Sequence, residues 1–103
     1  MKALILAAGK GTRLRPLTSK TPKILLKFGN SNILDYLVNC LKENNLNEIY
    51  VVTGYKSDQI KKKFKGEVNF ILNKKYQTTN SIYSLFLAKK KLNNSNFFLI
   101  NGD

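Results

Sequence analysis

The sequence predicts an α/β fold: a three-layer sandwich built on a mostly parallel sheet. Three observations carry that expectation. Short aliphatic and β-branched runs alternate with stretches of helical periodicity. The runs KALILA (2–7), EIYVVT (48–53) and FFLI (97–100) are largely continuous in apolar residues, as strands covered on both faces are. Each stops at glycine, asparagine or a polar loop, and strand–helix alternation of this kind implies right-handed crossovers. The chain has 103 residues and 43% hydrophobic content, the size and composition of one globular unit. A chain of that length buries roughly two-thirds of its unfolded surface, enough for a core.

The first strand is predicted over 2–7, ending before Gly9. A long polar loop follows over 8–22, with Gly9, Gly11, Pro16 and Pro22, and then a short extended piece over 23–28. Ser31 or Asn32 caps a helix running to about Asn44. Its apolar residues Ile33, Leu34, Leu37, Val38 and Leu41 keep the i, i+3, i+4, i+7 spacing of one buried face, with Cys40 beside that stripe as a core thiol. The second strand, 48–53, closes at Gly54, and Ser57 caps a short helix to about Lys65. The third strand is placed at 67–72. A loop over 73–79 leads into a helix from Ser81 to Lys91, with Ile82, Leu85 and Phe86 expected to face inward. The fourth strand, 97–100, runs into Asn101-Gly102-Asp103. There is no internal repeat, low-complexity segment or interdomain linker.

Composition excludes several classes. One cysteine, Cys40, permits no internal disulfide. With no histidine besides, the chain has neither the usual zinc ligands nor a Ser-His or Cys-His pair. No apolar run approaches the roughly 18–20 residues of a membrane span. The apolar start is short and lacks a basic region, so it reads as a strand and not a signal peptide, and a cytoplasmic location is expected. The 18 basic residues outnumber 6 acidic ones, a formal charge of +12 that invites an anionic partner. Sixteen of the 18 are lysines, accompanied by 13 asparagines and 8 isoleucines, the pattern of A/T-rich codon usage. Lys61-Lys62-Lys63 and Lys89-Lys90-Lys91 read as solvated helix ends, where lysine complements the helix dipole. Nucleic-acid binders interleave arginine and aromatics with their lysines. Here both arginines, Arg13 and Arg15, sit in one short segment, so nucleic acid is not the expected partner.

In sheets of this type ligands gather beyond the carboxyl ends of the strands. Those ends are the 8–23 loop, Gly54-Tyr55, the 73–80 loop and Asp103, so the chemically suggestive residues share one rim. Gly9 and Gly11 let backbone N–H groups approach an anion closely. The loop is not a Walker A sequence, which needs G-x-x-x-x-G-K-[ST]. It is not a dinucleotide-binding turn either, because Leu14 stands at the third glycine and Thr53-Gly54 replaces the acidic residue. What remains is a glycine loop followed by Arg13, Arg15 and Lys23, a set suited to a triphosphate, with an ordinary surface loop as the alternative.

The stretch LILAAGKGTRLRPLTSKTPKILL (Leu4–Leu26) resembles the signature of the nucleotidyltransferases that make activated sugars and alcohols, L-A-A-G-x-G-T-R-L-x-P-L-T-x-x-x-P-K-x-L. Ile24 stands where many members have proline. The helix at 32–44, the strand ending VVTGY and the final LINGD fall where that family places them. The resemblance implies a Rossmann-like sandwich of which residues 1–103 supply the amino-terminal, nucleotide-binding half, since the family's enzymes run much longer. The run NKKYQTTNSIYSL (Asn73–Leu85), with skeleton N-x-x-Y-x-x-x-N-[NS]-x-Y-S-L, looks like the branch that transfers CMP to phosphocholine or related phosphonates. Sugar-1-phosphate members are the alternative, and a non-catalytic nucleotide-binding fragment is a third.

By that resemblance, a substrate phosphate or phosphonate oxygen attacks the α-phosphorus of CTP and releases pyrophosphate. Arg13 would face the β- and γ-phosphates and Lys23 would neutralise charge at the reacting centre. Ala8, Gly9, Gly11 and Thr12 would line the nucleotide, with Ala8 beside the base. Asn80 and Ser84, which both donate and accept, would complement cytosine, and Tyr76 would pack near the base or the second substrate. Asn80 reads equally as a helix cap. Asp103 would bind Mg²⁺. The nucleophile is already anionic, so a chain without histidine needs no general base.

Overall fold

The computed structural model describes residues 2–10, 15–64, 68–79, 81–92 and 96–101. Its elements are β1 (Lys2–Ala7), β2 (Lys27–Phe28), β3 (Ser31–Asn32), α1 (Ile33–Glu43), β4 (Glu48–Thr53), α2 (Ser57–Lys63), β5 (Asn69–Leu72), α3 (Ser81–Lys91) and β6 (Phe97–Asn101). The main sheet is ordered β5-β4-β1-β6 with every described pairing parallel. Lys2 to Ala7 pair with Glu48 to Thr53 on one side, and Lys2 to Leu6 with Phe97 to Asn101 on the other. The expected α/β architecture is present. The strand order reverses beside β1, which makes its carboxyl end the switch point where such sheets open a crevice.

β1 is apolar from Ala3 onward because both its faces are covered. Ala3, Ile5 and Ala7 pack with Leu34, Val38 and Leu41 of α1 and Ile60 of α2. Leu4, Leu6 and Ala8 point to the other face, with Val52 of β4 and Ala88 and Leu92 from α3 and its end. Removing that much apolar surface from water is the main stabilising term, on the order of 1.5–3 kcal/mol for each fully buried aliphatic side chain. The described residues include no helix long and apolar enough to cross a membrane.

α1 starts as expected: the Asn32 side chain accepts from the Asp35 N–H at 2.8 Å. It stops where Asn45 takes φ 64°, a left-handed conformation that asparagine tolerates. The piece expected to be extended over 23–28 is instead a 3-10 turn at Lys23–Leu25 and then a two-stranded hairpin, β2 with β3. Gly29 at the hairpin tip has φ +61°.

Three further expectations are corrected. Ser57 does not cap α2: the capping position is Lys56, left-handed at φ 53°, and the Ser57 hydroxyl is 2.9 Å from that of Thr53. α2 ends at Lys63 because Phe64 leaves the helix to enter the core, and β5 is described from Asn69, while the predicted limits Lys65 and Glu67 lie outside the described residues. α3 has the predicted range but is rotated. Ile82 is 73% exposed and Phe86 55%, while Ser84, Ala88 and Leu92 are buried and Leu85 partly so. Small residues at 84 and 88 let the helix lie close on the sheet, and positions two residues away point outward.

Candidate active site

The carboxyl rim is assembled from three loops. After β1, Ala8 is buried and its carbonyl accepts from the Tyr55 N–H at 3.1 Å, tying that exit to the end of β4. A Cβ built on Gly54 would stand 2.5 Å from Tyr76 Cβ, 2.9 Å from Tyr76 Cγ and 3.1 Å from the Ala8 carbonyl oxygen. Glycine is therefore required there for Tyr76 to pack against β4. The rings of Tyr55 and Tyr76 meet edge to face at 6.2 Å. Lys56 lies 5.3 Å from the Tyr55 ring centre, placing a cation on the same rim.

The third loop, 73–79, is built around one buried amide. Asn73 is 1% exposed, and its backbone N–H donates to the Thr53 carbonyl at 2.7 Å. Its side-chain nitrogen donates to Thr79 Oγ1 at 3.2 Å and Ser84 Oγ at 3.1 Å, while its oxygen accepts from the Lys75 N–H at 2.9 Å. The Thr79 hydroxyl donates onward to the Lys75 carbonyl at 2.7 Å. Every polar capacity of the amide is engaged but its second oxygen lone pair, so the loop and the start of α3 are locked together.

The predicted residues separate into groups. Ala8 and Tyr76 come together, both packed in the α3-side core and both against Gly54. Gly9 follows directly, half-buried at the tip of β1. Ser84 lies beneath the rim, 2% exposed, with its hydroxyl engaged by Asn73. Lys23 opens the 3-10 turn, half-buried, and the turn is fixed by Ile24 and Leu25 entering the α1-side core. Arg15 is exposed. Gly11, Thr12, Arg13, Asn80 and Asp103 lie outside the described residues. Among the described residues no three Asp, Glu, Cys or His side chains cluster as a metal-holding group.

Sequence reasoning missed Asn73, Gln59 and the structural parts of Gly54 and Tyr55. The available signals were a glycine closing β4 and an asparagine closing β5. The titrations that the fold displaces lie elsewhere. At the amino end of β4 the Tyr50 hydroxyl, 2.6 Å from Glu48, holds that carboxyl below its usual range, helped by Lys2, and the same bond raises Tyr50. On α1 a hydrogen bond with Cys40 raises Tyr36.

Residues 2–103 match the family model described as nucleotidyl transferase. Over 106 residues the chain is 42% identical to a choline-phosphate cytidylyltransferase of Streptococcus pneumoniae, covering all of this chain and 44% of that protein. It is 45% identical over 92 residues to a CTP:phosphoglutamine cytidylyltransferase of Campylobacter jejuni, covering 86% of this chain and 36% of the relative. A mannose-1-phosphate guanylyltransferase catalytic subunit beta of Xenopus tropicalis is 36% identical over 110 residues and 31% covered. The solved structure of the S. pneumoniae CTP:phosphocholine cytidylyltransferase superposes with a TM-score of 0.86 over 99% of this chain and 44% of that one. The chain thus spans less than half the length of these relatives.

Proposed function

The chain belongs to the nucleotidyl transferase family, and from that premise we propose that it forms the nucleotide-binding half of an enzyme that transfers CMP from CTP to phosphocholine or a related phosphate or phosphonate. The observation that carries the reading is the Asn73–Leu85 skeleton, which stands on the same rim as the Leu4–Leu26 signature and is joined to it through Gly54, Tyr55 and Tyr76. The similarity to two cytidylyltransferases with different phosphorylated acceptors supports the base and leaves the acceptor class broad.

In this reading an oxygen of the acceptor phosphate forms a bond to the α-phosphorus. The bond from that phosphorus to the bridging oxygen breaks, and pyrophosphate leaves with the electron pair. The attacking oxygen is anionic near neutral pH, so catalysis consists of positioning and charge neutralisation. Gly9 and Gly11 bring backbone donors to the phosphates, Ala8 and Thr12 line the nucleotide, and Arg13 faces the β- and γ-oxygens. Lys23 neutralises the charge that develops at the reacting phosphates. Tyr76 flanks the base and Asn80 reads it, while Ser84 acts from below by holding Asn73. The carboxylate of Asp103 is a hard oxygen donor suited to Mg²⁺. When bound, the ion supplies Lewis-acid polarisation of phosphate oxygens. A cytoplasmic enzyme follows from this reading.

The test is pyrophosphate release by the full-length gene product, with CTP, UTP, GTP and dTTP as donors. Phosphocholine, aminoethylphosphonate and sugar-1-phosphates serve as acceptors. CTP with a phosphocholine-like acceptor is the expected pair, and Lys23→Ala lowers its turnover by about 10²–10³-fold with the fold intact. Release only with sugar-1-phosphates would install the alternative that the mannose-1-phosphate guanylyltransferase similarity favours. CTP·Mg²⁺ binding without pyrophosphate would make the protein a non-catalytic nucleotide binder. Near-parental turnover in the variant would remove Lys23 from the mechanism.

A further inference from the structure

We infer that Tyr55, assisted by Gln59, is a positioning residue that clamps the middle of the signature loop and thereby places Lys23. The Tyr55 hydroxyl lies 2.8 Å from the Thr18 carbonyl oxygen and 3.1 Å from that of Ser19, donating across both. Gln59 Nε2 donates to the next carbonyl, Lys20, at 2.8 Å. Two side chains from the β4–α2 corner thus hold three consecutive carbonyls that belong to no helix or strand.

The need for such partners is physical. Thr18 is fully buried, and a buried carbonyl without a partner costs about as much as a lost hydrogen bond. Within the segment itself the Ser19 N–H donates to Pro16 at 3.1 Å, a single turn with little rigidity of its own. The carbonyls of Ser19 and Lys20 belong to exposed residues where water competes. Three residues further on stands Lys23, whose turn is pinned from its other side by Ile24 and Leu25. The clamp fixes the incoming end of that turn. Tyr55 also holds Ala8 through its backbone and meets Tyr76 through its ring, so one residue reaches all three loops of the rim.

The clamp's effect on turnover rests on the proposed transfer reaction; its effect on the loop does not. Two measurements on the full-length gene product separate them. Tyr55→Phe keeps the ring and removes the hydroxyl. By hydrogen exchange, amides in 17–21 should exchange about tenfold faster while β1 and α1 are unchanged. Unaltered exchange there overturns the clamp. In turnover, Tyr55→Phe should lower kcat about tenfold with KM for CTP little changed, and Tyr55→Phe with Gln59→Leu should lower it further. In a Lys23→Ala background the same Tyr55→Phe change should have almost no effect, because the group it places is gone. An equal loss in both backgrounds overturns the positioning role. If the parent protein releases no pyrophosphate with any donor, the transfer reading falls and the exchange result alone decides the clamp.

Discussion

Replacing Gly54 by alanine tests the rim at its tightest point. The added Cβ would stand 2.5 Å from Tyr76 Cβ and 3.1 Å from the Ala8 carbonyl oxygen. Carbon atoms rest at about 3.5–4.0 Å, so something must retreat by about 1 Å. The ring cannot simply swing aside, because the clash is with the first side-chain atom, and moving it means moving the 73–79 backbone. That backbone is held by Asn73. On the opposite side the Ala8 carbonyl is committed to the Tyr55 N–H. Overpacking of this kind costs about 1–3 kcal/mol. Gly54 does not have a positive φ, so alanine also recovers about 0.4–1 kcal/mol by restricting the unfolded chain. Taking the middle of each range, the net expectation is a loss of about 1 kcal/mol, or roughly 4–8 °C in Tm for a unit of this size. Thermal unfolding followed by far-UV circular dichroism measures it.

Two second-site backgrounds identify the cause. Tyr76→Ala retains the Cβ and with it the 2.5 Å approach, relieving only the Cγ contact at 2.9 Å. Tyr76→Gly removes both. Gly54→Ala should therefore keep most of its cost beside Tyr76→Ala and lose most of it beside Tyr76→Gly, where only the 3.1 Å approach to the Ala8 carbonyl oxygen is left. The same cost in all three backgrounds, or a Tm no lower than the parent's, would refute the packing argument.

Asn73→Ala should destabilise by about 2–4 kcal/mol in urea unfolding, since it strips the partners from Thr79, Ser84 and the Lys75 N–H together. Adding Ser84→Ala should cost less than the sum of the single changes, because the two groups share a bond. On α3, Phe86→Gln should shift stability by no more than about 0.5 kcal/mol, whereas Ala88→Met, at a fully buried position, should cost about 1–3 kcal/mol. Equal effects at the two positions would mean that α3 presents the other face.

The parts of the fold that the sequence makes legible are those where one physical demand acts alone. β1 and β4 are apolar because both faces are buried, and α1 carries a wide apolar stripe and an asparagine cap. α3 is different. It has apolar residues on more than one side, and reading its largest ones as the core put Ile82 and Phe86 inside, whereas close approach to the sheet selects the small face with Ser84 and Ala88. The Tyr55 and Gln59 contacts leave still less trace. Their acceptors are backbone carbonyls 36–39 residues away, and every residue type offers a carbonyl, so no pairing of side chains announces them. Asn73 reads locally as a loop residue because its partners become neighbours only once α3 is docked.

The charge is resolved by direction. Each helix in a parallel α/β unit runs back against the strands, so its carboxyl end points toward the rim where the strands begin. Lys61–Lys63 and Lys89–Lys91 occupy the last turns of α2 and α3 and are exposed, as read from the sequence. The contact that fixes this sense is Lys2 of β1, whose ammonium donates to the Leu92 carbonyl at the end of α3 at 3.2 Å and pairs with Glu48 at 3.5 Å. Lys89–Lys91 complement the α3 dipole at the rim opposite the loops, and Lys61–Lys63 complement the dipole of the shorter α2. At the far end of the eleven-residue α3, roughly 16 Å long at 1.5 Å per residue, Lys89–Lys91 can add only a weak, screened field at a phosphate bound over β1, because salt leaves surface charges effective over roughly 8–10 Å. Local charge for a triphosphate must come from the signature loop and its neighbours. That is why a loop clamp rather than net charge should govern turnover, and why neutralising Lys89–Lys91 should leave it unchanged where loosening Thr18–Lys20 does not.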